Sequence, residues 1–169
     1  MLHDWTNLFT LTGSAGGALI GLLFVVVTLG SGLSASQSES AIRGFVTPIL
    51  VNFSGVLFQA IVVVAPWPSD HPAGVLLVLG GLTGAIYRLA TIRWKGKADF
   101  MALSGFDWVA YNGVPVIANA SLIAGGAGLV VEDARAPYAI AAASTLLLAA
   151  GIYGAWDLTL RTLKSRSKT

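Results

Sequence analysis

Asn52 and Gln59 stand seven residues apart in an otherwise apolar stretch, and Asn112 and Asn119 repeat that interval further along the chain. Seven residues are close to two helical turns, so each pair of amides shares one helix face. Pro48 and Gly55 lie on the same side of the first face, and Pro115 lies between the two asparagines of the second. Two readings follow from this pattern. The amides bond one another and hold two helices together, at about 0.6 to 2 kcal/mol per bond. Alternatively, the amides and the backbone carbonyls freed by the prolines line a narrow polar path for a cation, water or a small neutral solute.

Charged side chains form a second group. Arg88 lies more than one turn inside an apolar stretch, Asp107 opens the next one, and Asp157 sits near the end of the last with Arg161 one turn on. A buried arginine seeks a carboxylate, and Asp107 and Asp157 are the candidate partners. The competing account is that the Arg88 side chain extends along the helix and reaches water unaided. Either way, no carboxylate falls at the middle of an apolar stretch, which weakens a proton-pump or cation-antiport reading.

Catalytic patterns are weak. His3 and His71 have no acidic or thiol cluster near them in sequence, and the chain contains no cysteine, so neither a metal site nor a disulfide is expected. The glycine-rich "GSAGG" (13–17) carries its serine in the wrong frame for a nucleophile elbow, and no phosphate loop or HExxH motif is present. The expectation is a protein that is not an enzyme and uses no cofactor.

These residues must be positioned by membrane helices. Of 169 residues 55% are hydrophobic and 11% charged, far from the roughly 25% charged residues of soluble domains. A bilayer core of about 30 Å takes roughly 20 apolar residues in a helix, and five such stretches occur, at about 8–29, 42–65, 73–92, 108–131 and 138–158. The linkers between them are short, so the chain is expected to be one all-α transmembrane domain, a five-helix bundle over residues 1–169. Arg43, Arg88, Arg93, Lys95, Lys97, Arg161, Lys164, Arg166 and Lys168 fall at one set of span ends and only Arg135 at the other. Positive charge is retained on the cytoplasmic side, so the N-terminus is expected outside and the C-terminus inside. Trp5 and Trp67 fall at the outer ends and Trp94, Trp108 and Trp156 at the inner ends, the depth that indole rings prefer. The basic residues thus read as topology signals, and nucleic acid is not an expected partner. An odd number of spans argues against a simple inverted repeat, and no internal self-similarity is apparent.

Small residues at four-residue intervals let helices approach closely in lipid. Gly13, Gly17 and Gly21 form such a ridge in the first span, as do Gly80 with Gly84 in the third and Gly151 with Ala155 in the fifth. They pack within one bundle, or form a seam with another subunit or membrane protein.

The strings "GSAGGALIGLLFVVVTLG" (13–30), "RGFVTPILVNF" (43–53) and "VAPW" (64–67) resemble a family of small, uncharacterised bacterial membrane proteins, some of them called modulators of FtsH protease. The resemblance covers mainly the first two spans and implies a bacterial inner-membrane location. Family members often carry histidine where this chain has Asn52, so titratable chemistry at that position would be missing here. Together these features lead to the expectation of a homo-oligomer that provides a narrow polar pathway. The alternative is a membrane scaffold or regulatory subunit that binds another complex such as a protease.

Overall fold

A computed structural model describes residues 2–30, 46–94 and 105–166, with side chains over 2–28, 46–93 and 107–160. Arg43, Lys95, Lys97 and Lys168 lie outside the described residues, as does the expected start of the second span. The protein is all-α, with five helices long and apolar enough to cross a membrane. They are α1 (Thr6–Gly30), α2 (Thr47–Val64), α3 (Asp70–Trp94), α4 (Val114–Val130) and α5 (Ala136–Arg166). A 3-10 turn, Leu2–Trp5, leads into α1, and the Thr6 hydroxyl donates to the His3 carbonyl at 2.9 Å to close it. A π-helical turn, Val109–Gly113, leads into α4 and lengthens that span to Val109–Val130.

Local sequence explains the turns between helices. Pro66 and Pro68 cannot continue α2, Ala65 turns extended (ψ 140°), and the Trp67 indole N–H folds back onto the Val62 carbonyl at 2.7 Å. At the end of α4 the Asp133 N–H bonds the Gly128 carbonyl at 2.8 Å and the Glu132 N–H bonds the Leu129 carbonyl at 3.3 Å. This paired pattern places Glu132 in the left-handed region, φ 60°, where glycine is the usual occupant.

The helices pack chiefly as α1 on α2, α3 on α4, and α5 against both α4 and α2, while α2 and α3 touch much less. Phe9, Leu77, Ile140 and Ala143 are fully buried where these helices meet. Leu11, Leu22, Ile86 and Ile152 are exposed, as suits surfaces that face acyl chains.

Glycine places the helices at close range, though not along the ridge expected in α1. A Cβ on Gly13 would stand 2.5 Å from the Ala60 Cβ, and one on Gly16 would stand 3.3 Å from the Phe53 carbonyl oxygen. At Gly17 and Gly21 a Cβ would meet nothing within 4 Å. The reason is rotation: at about 100° per residue, Gly16 lies about 60° to one side of Gly13, with Gly17 and Gly21 about 40° and 80° to the other. The α2 seam takes Gly13 and Gly16, and the Gly17–Gly21 side looks outward. In α3, a Cβ on Gly80 would strike the Phe58 ring and one on Gly84 the Asn119 amide, so both glycines admit a neighbouring side chain.

Candidate intramembrane binding site

The polar groups meet around Arg88. Its side chain is only 3% exposed, and its partners come from two other parts of the chain. One terminal nitrogen donates to the Asn52 Oδ1 and to the Pro48 carbonyl at 3.5 Å, both on α2, and the other donates to the Tyr111 carbonyl at 3.3 Å in the π turn. The Tyr111 acceptor follows from sequence. Pro115, four residues on, has no N–H to close the α-helical bond to it, so the Tyr111 carbonyl is left for another donor. Among the described residues no carboxylate pairs with Arg88, in place of the expected Arg88–acid contact.

The two candidate acids bond tyrosines instead. The Tyr111 hydroxyl donates to Asp157 Oδ2 at 2.8 Å and the Tyr153 hydroxyl to Asp107 Oδ1 at 2.5 Å, with the two rings edge to face at 5.9 Å. Tyr111 thus presents its carbonyl to Arg88 and its hydroxyl to Asp157, so one residue separates the cation from the anion. Neither tyrosine stood out in the sequence, since both lie among apolar residues that fit plain packing.

The four candidate amides take three kinds of partner. Asn52 is 5% exposed and accepts from Arg88. Gln59 is wholly buried; its Oε1 accepts from the Ser144 hydroxyl of α5 at 2.6 Å, while its Nε2 has no hydrogen-bond partner. Asn119, 6% exposed, donates to the Pro115 carbonyl at 2.7 Å. Asn112 is half-buried and donates back to the Trp108 carbonyl at 3.4 Å. No amide of the four bonds another. The intervals Pro48 to Asn52 and Pro115 to Asn119 are the same, and the strings "TPILVNFS" and "VPVIANAS" also share a serine, a parallel that sequence reading passed over.

Asn52, Gln59 and Asn119 line one cavity of about 550 Å³, with Tyr87 and Arg88 at one end. Its remaining wall is mostly apolar, including Phe58, Leu79, Leu122 and Leu147. Asn112, Asp107 and Asp157 are not part of this wall. The volume falls within the range of about 300 to 1,000 Å³ of small-ligand sites, and an apolar wall with a few placed polar groups is their usual chemistry. His3 and His71 are exposed and are not part of the cavity wall.

Compared with family models, with curated proteins and with solved structures, the chain matches none of them. The fold and site therefore define a class, a five-helix multi-span membrane protein with a polar-ended cavity among its helices.

Proposed function

We propose that the protein is a homo-oligomer of the bacterial inner membrane, with its N-terminus outside and C-terminus inside, in which this cavity is the chamber of a narrow polar pathway for an ion or small solute. It carries out no catalysis in this reading. The observation that supports it is the cavity itself. Three of the four candidate amides line 550 Å³ of space instead of bonding one another. Polar groups in a membrane interior are costly unless they serve packing or a ligand, and Gln59 keeps an unpaired donor there. Arg88 at one end, with neutral acceptors only, opposes cations and favours an anion or a neutral solute. The bacterial location rests on the resemblance of the first two spans and the orientation on the distribution of Lys and Arg.

The test is flux of chloride and of glycerol into liposomes carrying the purified protein. The expected result is flux above that of empty liposomes, reduced in Asn52→Leu and in Asn119→Leu. Flux equal to empty liposomes, or unchanged in both variants, refutes the pathway. The second reading, a scaffold or regulatory subunit for a membrane complex such as a protease, is favoured by the open side of α1 at Gly17 and Gly21. A stoichiometric membrane partner that co-purifies and is lost in Gly17→Leu would support it.

A further inference from the structure

We infer that the cavity binds an anionic amphiphile, a carboxylate or phosphate group carrying an apolar chain, which enters sideways from the bilayer between α2 and α3. This rests on the reading of the cavity as a ligand chamber and is independent of whether anything passes through.

The charge points to an oxyanion. A guanidinium has five N–H donors in a planar fork that matches carboxylate and phosphate oxygens. Neutral oxygens of Asn52, Pro48 and Tyr111 take three of the Arg88 donors, which leaves two, and no carboxylate among the described residues neutralises the group. The position of Arg88 suits a headgroup. It precedes the end of the span at Arg93 by five residues, about 7.5 Å along the helix, near the depth at which amphiphile heads meet acyl chains.

The unpaired Gln59 Nε2 adds a second donor in the wall, on a side chain that is wholly buried. Gln59 lies two turns from Asn52, about 10 Å along α2, so a ligand seated on Arg88 reaches it with an oxygen beyond the head, which the glycerol esters of phosphatidylglycerol offer and a plain alkyl chain does not. Being a donor, Nε2 asks for an oxygen on the ligand and adds nothing for a cation.

The mouth of the cavity explains the chain. Ser54 and Phe58 on α2, and Leu79 and Thr83 on α3, line the cavity and are also exposed on the outside of the bundle, where acyl chains run. Phe58 is 36% exposed with its ring against Gly80 across the gap, and Leu79 is 54% exposed. A hydrated inorganic anion has no reason to use such a mouth. A molecule that already dissolves in the bilayer does, and Leu122 and Leu147 on the far wall receive its chain.

The experiment measures binding to the full-length protein in uncharged detergent at neutral pH, by thermal melting and native mass spectrometry. The probes are laurate, dodecyl phosphate, dodecanol, inorganic phosphate and phosphatidylglycerol. Laurate and dodecyl phosphate are expected to bind one per chain and to raise Tm, with dodecanol and inorganic phosphate at least tenfold weaker. Retention of one phosphatidylglycerol per chain that laurate displaces identifies the membrane lipid as the source; binding confined to the single-chain probes identifies a free amphiphile. Arg88→Gln is expected to weaken laurate at least tenfold, Arg88→Lys less, and Thr83→Trp, which fills the mouth from an exposed position, at least tenfold. Where Arg88→Gln does not fold, Thr83→Trp and the comparison of laurate with dodecanol on the native protein decide. Dodecanol binding as tightly as laurate, or laurate binding unchanged by Thr83→Trp, overturns the inference. Absent laurate binding with intact chloride or glycerol flux overturns this inference alone, whereas laurate binding without flux overturns only the pathway.

Discussion

The contact between Arg88 and Asn52 can be weighed by a double-mutant cycle with Asn52→Ala and Arg88→Met. Asn52→Ala removes the one side-chain acceptor of a guanidinium that is 3% exposed, leaving it the Pro48 and Tyr111 carbonyls. A hydrogen bond to a charged group contributes about 1.5 to 3 kcal/mol in soluble proteins. Interhelical bonds in membrane proteins average only about 0.6 kcal/mol with a maximum near 1.7, because the unfolded chain in the membrane also finds partners. Arg88 combines full charge with burial, so the coupling should approach that maximum, about 1.5 kcal/mol. Each single variant is expected to cost about 2 kcal/mol and the double variant about 1.5 kcal/mol less than the sum, read from equilibrium unfolding in mixed micelles. A second cycle, Arg88→Met with Asp107→Asn, should be additive within about 0.5 kcal/mol, since Asp107 accepts from Tyr153. Coupling below about 0.5 kcal/mol in the first cycle, or larger coupling in the second, refutes the assignment of Arg88 to Asn52.

The α1 and α3 glycines should separate in melting experiments: Gly84→Ala drives a methyl into the Asn119 amide and is expected to lower Tm, while Gly21→Ala meets open space and should leave Tm unchanged or raise it through helix propensity. Gln59→Leu removes a buried donor that has no partner but also the acceptor of the buried Ser144 hydroxyl, so stability should change by less than about 1 kcal/mol, whereas Ser144→Ala strips the remaining bond from Gln59 and should lower it by about 1 kcal/mol. Glu132→Gly relieves a left-handed backbone at the end of α4 and is expected to stabilise by up to about 1 kcal/mol; a loss of stability would show that the Glu132 side chain holds the turn. A reporter active only in the cytoplasm should work when fused after Thr169 and be silent before Met1, and the reverse would overturn the orientation drawn from Lys and Arg.

Helix number was readable because a run of apolar residues in a membrane leaves the backbone no option but to bond within the segment. Directions of side chains were readable only where one helix decides them. The faces carrying Asn52 with Gln59 and Asn112 with Asn119 follow from period alone, yet which residues meet a cavity depends on the neighbours, and Asn119 lines it while Asn112 does not. Gly13 was placed in a seam from its spacing with Gly17, but α2 crosses on the Gly16 side, a choice set by Ala60 and Phe53 in another segment. Ser144, set in a run of alanines and leucines, gave no sign that it would hold Gln59. The Tyr111 carbonyl was within reach of sequence reasoning, by counting four residues back from Pro115.

The partners of Arg88 also bear on the choice between helix glue and a polar path. Glue made of amides would have joined α2 to α4 through Asn52, Gln59, Asn112 and Asn119, and none of these bonds another. What ties α3 to α2 and to the segment ahead of α4 is a clamp at a single depth, with Arg88 holding Asn52 and Pro48 of α2 and the Tyr111 carbonyl. A clamp at one end holds three segments together; farther along, the Gln59 oxygen joins α2 to α5 through Ser144 and Asn119 bonds its own helix, which leaves the Gln59 Nε2 without a partner. That Nε2 lies in the cavity wall and asks for an acceptor that is not part of this chain's described residues. Since the clamp is cationic and its partners are neutral, that acceptor belongs most naturally to a molecule that brings negative charge with it.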